Sequence, residues 1–488
     1  MRVRFLVEGS PEIGGGHVMR SLTLARALHA SGDHGAFSAS PDHVPFVRHV
    51  LKNEFEVSEK ISDFDEVDVL VVDGYGIDPA VGTQARRHGT RVLVLEDAPA
   101  RPRDCDILCD PTPGRAARDY LGFVPSDATV LTGGDYALLR PEFGELRRTL
   151  PDRAGKVERL FLSFGLTDFG AWALPVARAL AEALPDVMID VAIGSAAPSL
   201  KPLMALADAS ARVACHVDTR DVAQLMASAD LAVGSAGGTT WERACLGLPS
   251  VVAIVAENQR DNAAALSRAG AAIVADDQDS MIAAVVKLQA DADARQAMRR
   301  SAMALCDGQG ANRLADMLRT SAADRPKVRH DAPLRLRTAA DQDRANIWFW
   351  RNDPDSRHLQ GSADPIPWTD HCGWWTRVLQ DDRCTLFIGE RDGRAIGQVR
   401  FDQRDDGVAT VSIAVNPACR GTGQALPLLK AAVARFAGAQ GTQRLQAMIH
   451  ESNDASLRLF SRAGFEIVGR DSPFVICEFE PAQNGTQE

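Results

Sequence analysis

No stretch of this 488-residue chain approaches the ~20 consecutive apolar residues that a membrane-spanning helix needs. The opening MRVRFLVEGS turns polar and glycine-rich after one strand, so neither a spanning helix nor a signal peptide is expected, and the expected location is cytoplasmic. Positive charge is also in short supply. With 54 Lys and Arg against 65 Asp and Glu, the formal net charge of -11 argues against nucleic acid or an anionic membrane as partner. The nine cysteines are odd in number and lack paired C-x-x-C spacing, so they read as reduced thiols rather than a disulfide framework or a structural zinc. Cys105 and Cys109 fall on the same side of one expected strand, where burial is the expected role. No metal is expected.

What is present is an α/β pattern long enough for two or three domains, with an ordinary hydrophobic content of 45%. Its most informative stretch is GSAGGTTWERACLGLPSVVAIVAENQRDNA, residues 234–263. Residues 231–233 read as a buried strand, Gly234, Gly237 and Gly238 as a turn, and Thr239 and Thr240 as the start of a helix through Leu246. Small residues let the backbone approach an anion closely, and the free N–H groups of a first helical turn favour a phosphate. Glu242, one turn inside, is an acceptor suited to two vicinal ribose hydroxyls. Glycines after a strand also serve any tight bend, so by themselves they leave phosphate binding and plain turn-making equally open.

Residues 4–8 read as a first strand, and Ile13-Gly14-Gly15-Gly16-His17 as a glycine loop before a helix at 18–29. The loop has neither the spacing of G-x-G-x-x-G nor the lysine of a P-loop. His17 is either a cap or packed surface residue or, because this loop lies at the carboxyl edge of a parallel sheet, a catalyst. Alternating strand and helix patterns at 67–73, 79–88, 92–96 and 106–110 predict a parallel sheet covered on both faces. A second series begins at 160, with strands at 188–193, 213–216, 231–233, 251–255 and 272–274 and a closing helix at 312–320.

The ordered set Gly234, Ala236, Gly237, Gly238, Thr240, Trp241, Glu242, Gly247, Pro249, Asn258 and Gln259 resembles the nucleotide-sugar half of two-domain GT-B proteins. With the IGGGH loop, Asp73 and Tyr75, and Gly134, Tyr136, Leu139, Arg140, Glu142 and Phe143, the chain most resembles the UDP-sugar hydrolases of pseudaminic acid biosynthesis. That resemblance implies Rossmann-like halves at 1–150 and 151–320 facing one another across a cleft. It implies His17 as the catalytic residue and a UDP-sugar site of Gly14, Gly15, Gly16, Ser163, Gly165, Gly237, Gly238, Thr239, Thr240, Glu242, Asn258 and Gln259. Two departures stand out. Leu6 and Glu8 occupy the family's Arg-x-Asp positions, leaving an acid that could orient His17 but no cation, and Leu166 replaces a second glycine and narrows the cleft wall.

Residues 321–333, SAADRPKVRHDAP, are polar, charged and proline-containing, and read as a linker. Beyond it, 334–482 reads as a strand at 334–337, helices near 345–350 and 371–379, and antiparallel strands at 386–390, 395–402 and 409–415. Arg420-Gly421-Thr422-Gly423-Gln424-Ala425 then forms a glycine turn opening a helix through 436, a form that suits a pyrophosphate. With Asn453, Ser456, Leu459, Phe460, Gly464 and Phe465 downstream, this region resembles the Gcn5-related N-acetyltransferases (GNAT).

The GNAT resemblance implies acetyl-CoA as cosubstrate, held by Ile413, Val415, Arg420, Gly421, Gly423, Ala425, Asn453 and Ser456. Arg351, Asn352, His371 and Trp374 resemble the substrate side of the sugar-nucleotide N-acetyltransferase of the same pathway, or else stabilise the fold. Phe460 stands where many such enzymes carry a tyrosine that protonates the departing thiolate, and a phenyl ring has no proton to give.

The expected fold is therefore α/β: two Rossmann-like domains in a GT-B arrangement followed by a GNAT domain. The expected function is N-acetylation of a UDP-linked amino sugar followed by hydrolysis to free sugar and UDP. A GT-B glycosyltransferase, or a module that binds a UDP-sugar without cleaving it, remains open for the first two domains.

Overall fold

In the computed structural model, residues 1–60, 63–150, 155–323, 332–357, 359, 364–440 and 444–481 are described. They form three sheets. The first has seven parallel strands in the spatial order Val57–Ser58, His34–Ser38, Arg2–Val7, Val69–Asp73, Arg91–Leu95, Ile107–Asp110 and Thr129–Thr132. The second has six, in the order Val213–Val217, Met188–Ile193, Arg159–Ser163, Leu231–Ser235, Ser250–Ala253 and Ile273–Ala275, again all parallel.

Both sheets run outward from their first strand in two directions. The order therefore reverses beside that strand, and the crevice beyond its carboxyl end is where such sheets bind ligands. In the first sheet the reversal lies between Arg2–Val7 and Val69–Asp73, and in the second between Arg159–Ser163 and Leu231–Ser235. The strands read as near-continuous apolar runs because helices cover both faces: Val69, Leu70 and Val71 are all fully buried.

Two expectations are corrected by packing. The helix expected to close the second unit runs Gly310–Ala323 and packs on the first, where Leu314, Ala315 and Leu318 join the core around Phe5, Leu22 and Leu24. Arg319 on it pairs with Asp33, which also holds the N-terminal ammonium. Its apolar stripe is complementary to the helix Gly16–His29, so the chain crosses back after the second sheet. Cys105 and Cys109 are both buried but on opposite sides of the first sheet, because Cys105 precedes the strand Ile107–Asp110 and escapes its alternation.

The third sheet is mixed, in the order Arg335–Thr338, Cys384–Arg391, Arg394–Gln403, Val408–Val415, Arg444–His450, Phe474–Phe479 and Glu466–Asp471. Its one parallel pairing joins Val408–Val415 to Arg444–His450. That register covers only Val408 to Thr410 against Arg444 to Gln446, although both strands continue. The sheet thus splits open beside Ile413 and Val415. Of the expected linker, residues 324–331 lie outside the described residues.

Candidate active sites

The first glycine loop delivers His17 into the crevice of the first sheet. Gly14 adopts φ +86, a left-handed conformation that favours glycine, and the helix begins at Gly16, so His17 stands in its first turn. The histidine is buried at 7% exposure, with its ring edge-on to Tyr75 at 4.7 Å between centroids. Its Nδ1 lies 3.7 Å from Asp73 Oδ1, beyond hydrogen-bond range. Burial pushes its pKa below the ordinary 6.5, against the opposing pull of Asp73. The imidazole is therefore neutral at pH 7, the form a general base needs.

Asp73, fully buried at the end of its strand, anchors this centre. It accepts from Arg20 Nε at 2.8 Å, Arg20 Nη2 at 2.5 Å and Ser21 Oγ at 3.0 Å, all from the His17 helix. A bidentate guanidinium and a hydroxyl compensate the buried charge. Asp73 is the carboxylate within ion-pair range of His17, whereas Glu8 accepts from the Gly76 N–H at 2.9 Å and bears on His17 through its charge, as Asp97 does. The reason is topological, since Val69–Asp73 is the strand beside the switch point and its last side chain falls next to the glycine loop.

Tyr75 links the two halves. Its hydroxyl donates to Asp97 Oδ2 at 2.5 Å and accepts from Asn258 Nδ2 of the second unit at 2.9 Å. Arg101 lies over its ring at 4.6 Å. Leu166, also from the second unit, closes against the same loop, for a Cβ placed on Gly15 would sit 3.2 Å from Leu166 Cδ1.

The second unit's glycine turn is built from below by Arg243, a residue the sequence reading passed over. Its Nη2 donates to Ser235 O at 2.7 Å and Thr240 Oγ1 at 3.1 Å, and its Nη1 donates to Thr239 Oγ1 at 3.3 Å. Burial lowers its pKa to about 10. Asn262 Nδ2 braces the same turn through Ala236 O at 2.7 Å. Gly234 is a packing requirement, since a Cβ there would meet Ser163 O at 2.1 Å, whereas Gly238 has nothing within 4 Å and faces open space. The helix Thr239–Cys245 spans only seven residues, so its dipole is a smaller asset than the sequence pattern implied.

Glu242 on this helix is half-buried, 3.9 Å from Arg140, and its pKa is raised by burial. Gln259 accepts from the Val255 N–H at 3.2 Å and lies beneath Gly237. Ser163 is committed to the fold: its hydroxyl donates to Ala192 O and accepts from Gly165 N–H. The structure thus groups His17, Asp73, Tyr75 and Asn258 at one point, with Gly237, Gly238 and Thr239 around the adjoining turn.

In the third unit, Gly421 and Gly423 adopt φ +73 and +79, and a Cβ on either would meet nothing within 4 Å. The turn is an open cradle at the start of the 16-residue helix Ala425–Gln440. Arg420 flanks it and pairs with Asp353. Asn453 caps the helix Asp454–Arg462 by accepting from Ser456 N–H at 3.0 Å. Phe460 is buried against Phe465, and all three tyrosines of the chain precede residue 140, so this unit has no phenol to substitute.

Of the four residues expected on its substrate side, two hold the fold. His371 donates its Nε2–H to Arg344 O, 2.9 Å away, and stacks between Trp368 and Trp375, with burial lowering its pKa to about 4. Asn352 closes a loop by exchanging two bonds with Ile366. The other two gather: Arg351 and Arg400 lie 5.7 and 5.4 Å from the Trp374 ring centre. Arg351 Nε is buried without a partner among the described residues, and burial and Arg400 lower its pKa. Two guanidinium groups thus flank one indole, Arg400 also donating from Nε and Nη2 to Asp402 Oδ1 at 2.9 and 2.6 Å.

Among the described residues no group of three or more His, Cys, Asp or Glu is placed to hold a metal ion, and no helix is long and apolar enough to cross a membrane.

Comparison with known proteins agrees in part. Residues 333–466 match the acetyltransferase (GNAT) domain, and residues 216–317 match the glycosyltransferase family 28 C-terminal domain. A UDP-2,4-diacetamido-2,4,6-trideoxy-beta-L-altropyranose hydrolase of Campylobacter jejuni is 28% identical over 279 residues, 55% of this chain and 97% of that protein. An uncharacterized protein of Methanocaldococcus jannaschii, MJ1062, is 22% identical over 97% of this chain and 99% of its own length. Among solved structures, MurG of Acinetobacter baumannii is 20% identical with a TM-score of 0.46, covering 65% of this chain and 99% of that one. The chain is thus two parallel α/β units followed by a GNAT domain.

Proposed function

We propose that this chain is a bifunctional nucleotide-sugar enzyme of pseudaminic acid biosynthesis, which N-acetylates a UDP-linked 4-amino sugar and then hydrolyses the diacetamido product to free sugar and UDP. The observation that carries the hydrolytic half is the neutral, buried His17 beside Asp73 and Tyr75 at the point where Asn258 crosses from the second unit. The similarity to the altropyranose hydrolase supports the substrate class.

In this reading His17 takes a proton from water as the oxygen attacks C1, and the C1–O bond to diphosphate breaks with its electron pair leaving on UDP. Asp73 and Arg20 hold the helix that carries His17. The diphosphate lies against the backbone of Gly237 and Gly238 and the Thr239 hydroxyl, and Glu242 serves the ribose. Donors aimed at the departing charge are each worth on the order of 3 kcal/mol.

In the third unit the open turn of Gly421 and Gly423, with Arg420, fits the pyrophosphate of acetyl-CoA, and the unpaired edge at Ile413 and Val415 fits its pantetheine arm. The bound coenzyme supplies the activated acetyl group. Arg351, Arg400 and Trp374 hold the nucleotide of the sugar acceptor. The attacking amine forms the N–C bond and loses its proton to solvent, and the C–S bond breaks with its electron pair leaving on the CoA sulfur, which takes a proton from solvent because Phe460 has none to give. The two sites share one chain, so the acetylated sugar is released close to the site that consumes it.

The match to a glycosyltransferase family 28 domain favours one other reading, transfer of the sugar to an acceptor hydroxyl rather than to water. Mass spectrometry with phosphorus NMR on the full chain, given acetyl-CoA and the UDP-4-amino sugar, separates them. The expected products are acetylated free sugar and UDP, with a His17→Ala variant stopping at the acetylated UDP-sugar. Acetylation without UDP release assigns the first two units to transfer or binding.

A further inference from the structure

The third unit docks on the first through the helix Ala80–Arg87 and residues 122–127, and the contact reaches the glycine turn that carries Arg420. The helix packs against the turn Pro417–Cys419, immediately before Arg420. Asn346 Nδ2 donates to Ser126 Oγ at 3.0 Å, and Arg344 Nε donates to Gly122 O at 3.4 Å. At the centre stands Asp353, its side chain fully buried. One of its oxygens pairs with Arg87 of the first unit and the other with Arg420. Arg87 also pairs with Asp355 at 2.8 Å.

A single buried carboxylate is therefore shared between a cation of the first unit and the cation that flanks the open turn. Its charge has opposite consequences for the two neighbours. A carboxylate held by Arg420 alone neutralises the guanidinium that an incoming diphosphate needs, whereas one also held by Arg87 leaves more of Arg420's field directed at the turn. Arg420 is one-third exposed, while Asp353 is closed off, so an anion reaches the arginine but not the acid.

We propose that Arg87, acting through Asp353, is a positioning residue for Arg420, so that the first unit completes the diphosphate-binding turn of the third. The inference rests on the acetyl-CoA reading above and extends it: affinity for the coenzyme depends on the neighbouring enzyme unit. Arg87 touches neither coenzyme nor sugar.

The test is titration calorimetry of acetyl-CoA on the full chain, with the KM for acetyl-CoA and kcat measured alongside. Arg87→Ala is expected to weaken acetyl-CoA five- to tenfold, the scale of one charge at a partly buried site, with kcat within about twofold. Arg87→Lys should recover most of the loss. Asp353→Asn should tighten binding or leave it unchanged, and added to Arg87→Ala it should erase that variant's defect, because the two act through one contact.

A purely structural contact predicts that both single variants weaken binding and that kcat falls with them; this outcome overturns the proposal, as does Arg87→Ala with wild-type affinity. A wild-type chain that binds no acetyl-CoA overturns the acetyl-CoA reading itself, and the inference with it.

Discussion

The two parallel sheets share one strand order but furnish their switch points in opposite ways. The first places charge there: His17, Asp73, Arg20 and Asp97 crowd within a few ångströms, three of them tied together by hydrogen bonds or ion pairs. The second places backbone there, with Gly238 open above, Gly237 resting on Gln259, and the buried Arg243 holding the turn from behind. In the function proposed above, the same topology serves proton transfer in one unit and diphosphate binding in the other. The fold supplies the location and the side chains divide the labour.

The sharpest way to break this division is His17→Ala. UDP release is expected to fall about a thousandfold or more, while UDP binding by calorimetry stays within twofold. A parallel loss of UDP affinity would put binding on both sides of the cleft. Because burial holds the His17 pKa below 6.5, its base form persists in mild acid, so kcat/KM for UDP release should keep its plateau below pH 6.5 before falling. An acid limb centred above 6.5 would assign the base elsewhere.

Asp73→Ala strikes the same centre through stability. It removes the bidentate partner of the Arg20 guanidinium, and a loss of about 3–5 kcal/mol is expected from urea unfolding. A loss below 1 kcal/mol would mean that Arg20 finds another partner, Asp97 at 3.8 Å being the available one.

The third unit provides a contrasting histidine. The folded pKa of His371 is about 4 and its ordinary value 6.5, so between these values the unfolded chain holds a proton that the folded one lacks. Stability is therefore greatest above about pH 6.5 and declines as pH falls toward 4, by about 3 kcal/mol in total. Unfolding curves of the full chain at pH 4.5 and 7.5 should show it, and His371→Gln should flatten the difference. Smallest is Tyr75→Phe, which removes the hydroxyl joining Asn258 to Asp97. A rise in KM of about fivefold is expected, the scale of one net hydrogen bond.

Much of this was legible from residues alone. The strand patterns appear where expected because a parallel strand buried on both faces must be apolar throughout, as in Val69–Asp73 and Leu231–Ser235. The glycine turns stand out because left-handed backbone at Gly14, Gly421 and Gly423 restricts the choice of residue. Arg243, Arg400 and Asp353 were not legible. Each looks like an ordinary charged residue in a helix, strand or loop, and only the fold shows which of them is buried and against what.

By itself the sequence determined the βα periodicity, the glycine turns and the departures at Leu6, Glu8, Leu166 and Phe460, because these are properties of residues along a chain. Tertiary structure alone decided that Asp73 rather than Glu8 stands beside His17, that the helix Gly310–Ala323 returns to the first unit, and that His371 supports the fold. It also decided that Arg87 and Arg420, 333 positions apart by subtraction of their numbers, share one carboxylate. Local propensity acts over a few residues, whereas the pairing of buried charges depends on which distant surfaces are pressed together when water is excluded.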